Sequence, residues 1–540
     1  MNRTALLLTL FVAAFTVACS GGGSTPTPPP PTGGFTNADL KGQYAFIMTG
    51  TDSSTFSFLG RVGSFTADGL GNITGGVEDV NSVANGPGTF VFTSSTYSIQ
   101  ADGRGTINLT NATGTLIFSV TLLSPSQGYI VETDLNATTS GTFNLQNSAD
   151  FTPGALSGGY VFDASGIDPN LNPDSIVGHL TPNGGGSFGG GGVLDENDST
   201  TISGPQAITG GSYALDATYG TSNGRGLISF TAGGVTYAYI FYIVDSTRIR
   251  MLENPSATSR LTLGDAVLQT NPPTTNAGFT GSFALLQGGQ SVSGPVTRIG
   301  RFTSDSNGGL NSIALDTNVA GSTSRAPDGT LSAMTYQIDP NYPGSGRGTA
   351  TFTDSKLGTY SYIFYMSSAS QGVIQDISNG IVADGTLLAQ TGGPFTNTSL
   401  AGNYGFNLSG ISSNSQTQAT AEEDYVGQLV LASSSSNNVS GAADFSEFSS
   451  NNGVFLNIVV NGQGLAIQGD GTTATGGDNT MQLKFNASPS STQKYAAYIV
   501  NPTTMFVACT DSNRVTAGAL TQQNQVTPVQ PAISRPDSSP

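Results

Sequence analysis

The residues able to do chemistry in this 540-residue chain are few: one histidine, His179, and two cysteines, Cys19 and Cys509. Catalysis by a cysteine or serine nucleophile needs a base beside it. His179 lies far along the chain from both cysteines, and Cys509 ends the run Met505-Phe506-Val507-Ala508-Cys509, which reads as a buried strand. Zinc would find neither paired histidines nor a cysteine cluster. Glycoside cleavage needs two carboxylates at a set separation. Glu132 with Asp134, and Glu422 with Glu423 and Asp424, are the candidates, but they do not recur at matching places.

Two polar elements do recur. Asp79 with Asn81, Asp195 with Asn197, and Asp316 with Asn318 form Asp-x-Asn. Alternate residues of an extended segment put two oxygens on one side, as calcium requires. The same residues also make turns by bonding their own backbone, and that is the simpler expectation. Arg104, Arg225 and Arg347 each stand between glycines. Such an arginine binds an anion, or lays its stem over a hairpin and pairs with a carboxylate; the pairing is the expectation here. No catalytic residue and no cofactor is expected.

These elements belong to a repeat of about 120 residues that occurs four times. Its aromatic anchor falls at Tyr44, Tyr160, Phe283 and Tyr404, spaced by 116, 123 and 121 residues on subtraction. Gly103-Arg104-Gly105 in the first copy returns as Gly224-Arg225-Gly226 and Gly346-Arg347-Gly348, with Gly462-Gln463-Gly464 read as its replacement in the fourth. One domain duplicated in tandem predicts a string of similar beads. The expected beads are residues 38–150, 151–272, 273–393 and 394–524, with reach between them at Asn271-Pro272-Pro273 and Gly392-Gly393-Pro394.

Within a copy, apolar and polar residues alternate, as in Thr106-Ile107-Asn108-Leu109, which is the period of a half-buried strand. Asp68-Gly69, Asp102-Gly103 and Asn183-Gly184 favour hairpin turns. The pattern predicts an all-β chain of four antiparallel meanders, roughly eight strands each. A meander of that size hides its edges by closing into an up-and-down barrel of lipocalin or streptavidin size, the favoured form, or by folding into a β-sandwich. Tyr239 with Phe241 and Tyr362 with Phe364 are predicted to be core, with Tyr242 and Tyr365 facing outward.

The amino terminus carries an address. Arg3 precedes an apolar run from Ala5 to Ala18 that is too short to span a membrane and right for export, so residues 1–18 read as a signal peptide. Thr16-Val17-Ala18-Cys19, followed by Ser20-Gly21-Gly22-Gly23, resembles the lipobox of bacterial lipoproteins. The resemblance implies that Cys19 becomes the lipidated first residue of the mature chain. Residues 19–37 then form a Pro-rich, extended tether, and residues 525–540 a disordered tail.

Seventeen basic residues against 35 acidic ones give a net charge of -18. Nucleic acid is therefore not an expected partner. The expected partners are a membrane, through the lipid anchor, and polysaccharide or another envelope protein. Together these features predict an exported protein on the bacterial cell envelope, at the outer membrane or cell surface, with a non-catalytic structural or adhesive role. The alternative is a ligand-binding protein for glycan or a small apolar molecule.

Overall fold

The computed structural model describes residues 34–255, 260–413, 420–432, 438–448, 453–463, 481–487 and 491–524. Cys19, the segment expected to be a signal peptide, most of the expected tether and the tail from 525 lie outside the described residues. The architecture is all β, in four antiparallel sheets, three closing into barrels and one curling into a half-barrel. The sheets span Lys41–Leu145, Tyr160–Leu268, Thr280–Ala389 and Gly402–Gln522. The second and fourth close completely. The first closes through the pairing of Phe58–Asp68 with Asn72–Ser82, while the third remains a half-barrel whose edges meet at the single bridge Gly309–Thr335. Barrel rather than sandwich is thus the outcome, because consecutive hairpins bring the last strand of each copy back onto its first, Tyr44 pairing with Leu145 and Tyr404 with Gln522.

Closure at that pair of strands depends on a glycine six residues after each aromatic anchor. A Cβ on Gly50, Gly166, Gly289 or Gly410 would stand only 1.9, 2.0, 2.1 or 2.0 Å from a carbonyl oxygen of the facing strand. Only glycine admits that approach. The interiors are filled by aromatic and aliphatic side chains, including Tyr44, Phe46, Phe65 and Phe143 in the first barrel and Phe162, Phe230, Tyr237, Tyr239 and Phe241 in the second. Tyr97, Tyr213 and Tyr336 donate to the carbonyls of Leu40, Leu156 and Phe279, fixing the entry segments of the first three copies across their barrel ends.

The expected string of beads is corrected by the packing between copies. Each barrel is pressed against the next by a buried apolar cluster: Ala45, Val62 and Tyr242 at the first seam, Val177, Ile363 and Tyr365 at the second, Ala284, Ile299 and Tyr498 at the third. A fourth cluster, Leu123, Tyr129, Val131 and Val426, joins the last barrel to the first. The four barrels therefore form a closed ring with approximate four-fold symmetry. The linkers give no reach because outward-facing aromatic residues make the barrel walls adhesive to one another.

Candidate functional site

The recurring polar residues meet at the seams. Asp79 and Asp195 lie within strands, Asn72–Ser82 and Val193–Asn197, rather than in turns. Arg225 of the second barrel donates from Nε and Nη2 to both oxygens of Asp79, at 2.8 and 2.9 Å. Tyr242 adds its hydroxyl at 2.7 Å. The next seam repeats the arrangement, with Arg347 on Asp195 at 2.7 and 2.8 Å and Tyr365 at 2.6 Å. Each arginine is also held by a carboxylate of its own barrel, Asp216 or Asp339. The oxygens that calcium would need at Asp79 and Asp195 are taken by a guanidinium. A forked, charge-assisted contact of this kind is among the stronger polar interactions a protein makes.

Two of the three asparagines serve the same seams, whereas Asn81 is buried with its amide nitrogen in no hydrogen bond. Asn197 donates to the carbonyls of Asp376 and Ile381, and Asn318 to those of Cys509 and Arg514. At the third seam Asp316 receives Tyr498 at 2.6 Å and lies 4.0 Å from Arg325 of its own barrel. The reading of Gln463 as the arginine's replacement is corrected by register. Gln463 ends the strand Gly453–Gln463, one strand earlier than the start of Arg225–Ala232 or Arg347–Asp354. The strand in the arginine's place is Met481–Phe485, and residues 464–480 before it contain neither Arg nor Lys. At the ring-closing seam Arg104 lies 3.7 Å from Asp444, which occupies the Asp79 position, each being paired with a valine of the preceding strand.

A glutamine missed in the sequence closes every seam. Gln146, Gln269, Gln390 and Gln523 each donate to a carbonyl of the next barrel, of Ile243, Met366, Ile499 and Leu122, at 2.6 to 2.9 Å. The backbone N–H of the residue after each glutamine bonds the same neighbouring barrel. The signal was legible: Leu145-Gln146-Asn147, Leu268-Gln269-Thr270, Ala389-Gln390-Thr391 and Gln522-Gln523-Asn524 end the four copies.

The remaining candidates are structural in placement. His179 is buried at the second barrel's wall, which pushes its pKa down, with Nδ1 3.4 Å from the Gly191 carbonyl. Cys509 is buried in the core of the fourth barrel, which pushes its thiol up. Glu132 points into the first barrel, bound by Arg61 at 3.1 Å and Thr139 at 2.8 Å, whereas Asp134 caps the following turn. Burial pushes Glu132 up to about 7. Similar interior pairs, Arg260 with Asp174, Arg298 with Asp376 and Arg514 with Glu423, occupy the other barrels. Glu423 faces inward; Glu422 and Asp424 face the seam with the first barrel. Among the described residues no group of three or more His, Cys, Asp or Glu is placed to hold a metal.

On the ring axis lies a cavity of about 910 Å³ lined by all four barrels. Ser140, Asp163, Asp384 and Glu422 line it, one from each of barrels one to four. That volume is of the size that holds small ligands. Burial raises the Asp163 carboxyl, and the nearby Asp384 raises it further.

No family model and no curated protein matches the chain. Among solved structures it is similar to a mutant of Transferrin Binding Protein B from Haemophilus parasuis, at 10% identity over 74% of this chain and 83% of that one, with a TM-score of 0.21. It is also similar to intact Ap-TbpB with N and C lobes, at 11% identity over 73% and 82%, TM-score 0.15. A protein of unknown function from Nostoc punctiforme matches at 11% identity over 46% of this chain and 98% of that one, TM-score 0.15.

Proposed function

We propose that the chain is a lipid-anchored cell-envelope protein whose four barrels act as one rigid, non-catalytic module for structure or adhesion. The observation that carries this reading is the use made of the chain's recurring polar residues: they are spent on seams between barrels rather than gathered around a reacting centre. The lipobox-like segment at Cys19 supplies the address. Phe35, near the end of the tether, donates its backbone N–H to the Ala101 carbonyl at one end of the first barrel. The tips of the first hairpins, with exposed Phe56, Leu171 and Val292, lie at the other end. Approximate four-fold symmetry puts these three tips on one face of the ring. A tether at the opposite end presents that face away from the membrane.

The filled barrel interiors speak against a small apolar molecule inside them, so the ligand-binding alternative rests on the outer faces and the axis. Two measurements test the proposal. Metabolic labelling with an alkyne fatty acid is expected to mark the full chain and to fail in the Cys19→Ala variant. Co-sedimentation of the mature chain with insoluble polysaccharides and cell-wall fractions is expected to show retention by at least one; loss of retention on substituting Phe56 and Leu171 by serine would assign it to the outward face. No retention by any fraction would leave the structural role and remove the adhesive one.

A further inference from the structure

The seam between the fourth barrel and the first has no covalent linker, and it is also where one carboxylate, Asp424, is buried without a countercharge beside a half-buried second, Glu422. The strand Thr420–Leu431 turns Glu423 and Tyr425 inward, and Glu422, Asp424 and Val426 toward the first barrel. Asp424 is 0% exposed, and neither of its carboxylate oxygens is in a hydrogen bond. Its near neighbours are the hydroxyls of Ser140, from the first barrel, and Ser409. Glu422, on the same face, has the Thr51 hydroxyl of the first barrel beside it and borders the axial cavity. Burial displaces both carboxyls upward, and for Glu422 the Asp424 charge adds to it.

The cations around this pair are committed elsewhere. Of the strands packed on it, Gln127–Glu132 brings Tyr129 and Glu132, while Gly114–Ser124 and Ala137–Leu145 bring no titratable side chain. Behind Glu132, Arg61 is held by Glu78 and Glu132. On the fourth barrel's side stand Glu423, Asp444 and Glu447; Arg514 is bound to Glu423, and Arg104 to Asp102 and Asp444. The internal segments 256–259, 414–419, 433–437, 449–452, 464–480 and 488–490 contain neither Lys nor Arg. Nor does the fold require a carboxylate at this position. The equivalent residue of the first barrel is Gly60, which packs on Leu252 and Leu263 across the first seam.

We propose that Asp424 and Glu422 bind a hard divalent cation of the calcium class at the ring-closing seam. Two carboxylates and the hydroxyls of Ser140, Ser409 and Thr51 supply oxygen donors from both barrels, and water from the axial cavity completes a shell of the six to eight oxygens such an ion takes. The ion clasps the fourth barrel to the first, so its binding adds directly to ring closure.

The test is calorimetric titration of calcium into the chelator-treated mature chain, with thermal unfolding in parallel. One site per chain is expected for the unsubstituted protein. Asp424→Asn, which keeps the side chain's volume, should abolish the site; Glu422→Gln should weaken it at least tenfold; Asp163→Asn, in another seam, should leave it intact. Ser140→Ala provides a second reading if Asp424→Asn fails to fold, with an expected several-fold loss of affinity. No binding at millimolar calcium, or equal binding by the unsubstituted chain, Asp424→Asn and Glu422→Gln, overturns the proposal and leaves protonation as what neutralises the pair. The outcome is independent of whether the protein is lipidated or adhesive.

Discussion

At the scale of single residues, the seams convert the four-fold repeat into one body. Asp79 is 1% exposed, and the guanidinium of Arg225 engages both its oxygens. Removing one member of a buried pair leaves an uncompensated charge and costs about 3 to 5 kcal/mol. Arg225→Ala is therefore expected to lower the denaturation midpoint strongly, and adding Asp79→Asn should recover part of the loss, because the stranded charge is then gone. Gln523→Ala strips a donor from the Leu122 and Asp102 carbonyls at the closing seam. It should cost about 1 kcal/mol, the worth of a typical hydrogen bond, and a chemical denaturation curve measures both.

Sheets and barrels carry the pH dependence. Glu132 sits inside a barrel where burial pushes it up to about 7, and burial likewise raises Asp174, up to about 8. A carboxyl whose folded pKa exceeds its unfolded value binds more protons when folded, so stability falls as pH rises between the two values. The melting temperature should accordingly decline from about pH 5 to about pH 8, and Glu132→Gln should flatten the slope. Turn carboxylates act in the opposite sense at lower pH. Asp52 and Asp168 are held below the ordinary range by hydrogen bonds in their loops, Ser54 and Asn172 among the donors, and their contribution is lost only as pH falls through that range. The strands were readable from alternation such as Thr106-Ile107-Asn108-Leu109, since one face of such a strand meets the barrel core and the other does not.

For the molecule as a whole, the closed ring predicts a compact particle. Small-angle scattering of residues 34–540 should give a radius of gyration near the value for a single globule of that length, about 23 Å; an extended string of four barrels would be far larger. Substituting Tyr129 and Val426, two of the four residues of the closing seam's apolar cluster, by aspartate is expected to shift the scattering toward the extended form while far-ultraviolet circular dichroism stays that of β-sheet. The same change would leave the other three seams intact, since no residue of theirs is touched.

Copy number, the all-β class and the hairpin order are written locally in the chain, in its periodicity and its turn dipeptides. The sequence also named Asp79, Asp195, Arg225 and Arg347 as the residues to watch. That these belong to one another across copies, 146 residues apart for Asp79 and Arg225 and 152 for Asp195 and Arg347, emerges only when the barrels pack. An alternating pattern shows which face of a strand is apolar, but in a barrel whose outer wall also carries Tyr242, Tyr365 and Tyr498 it does not say what covers that wall. Here the cover is the next barrel. Ring closure depends on the angle at which each barrel meets its neighbour, a property of four seams acting together, and no single stretch of sequence encodes it.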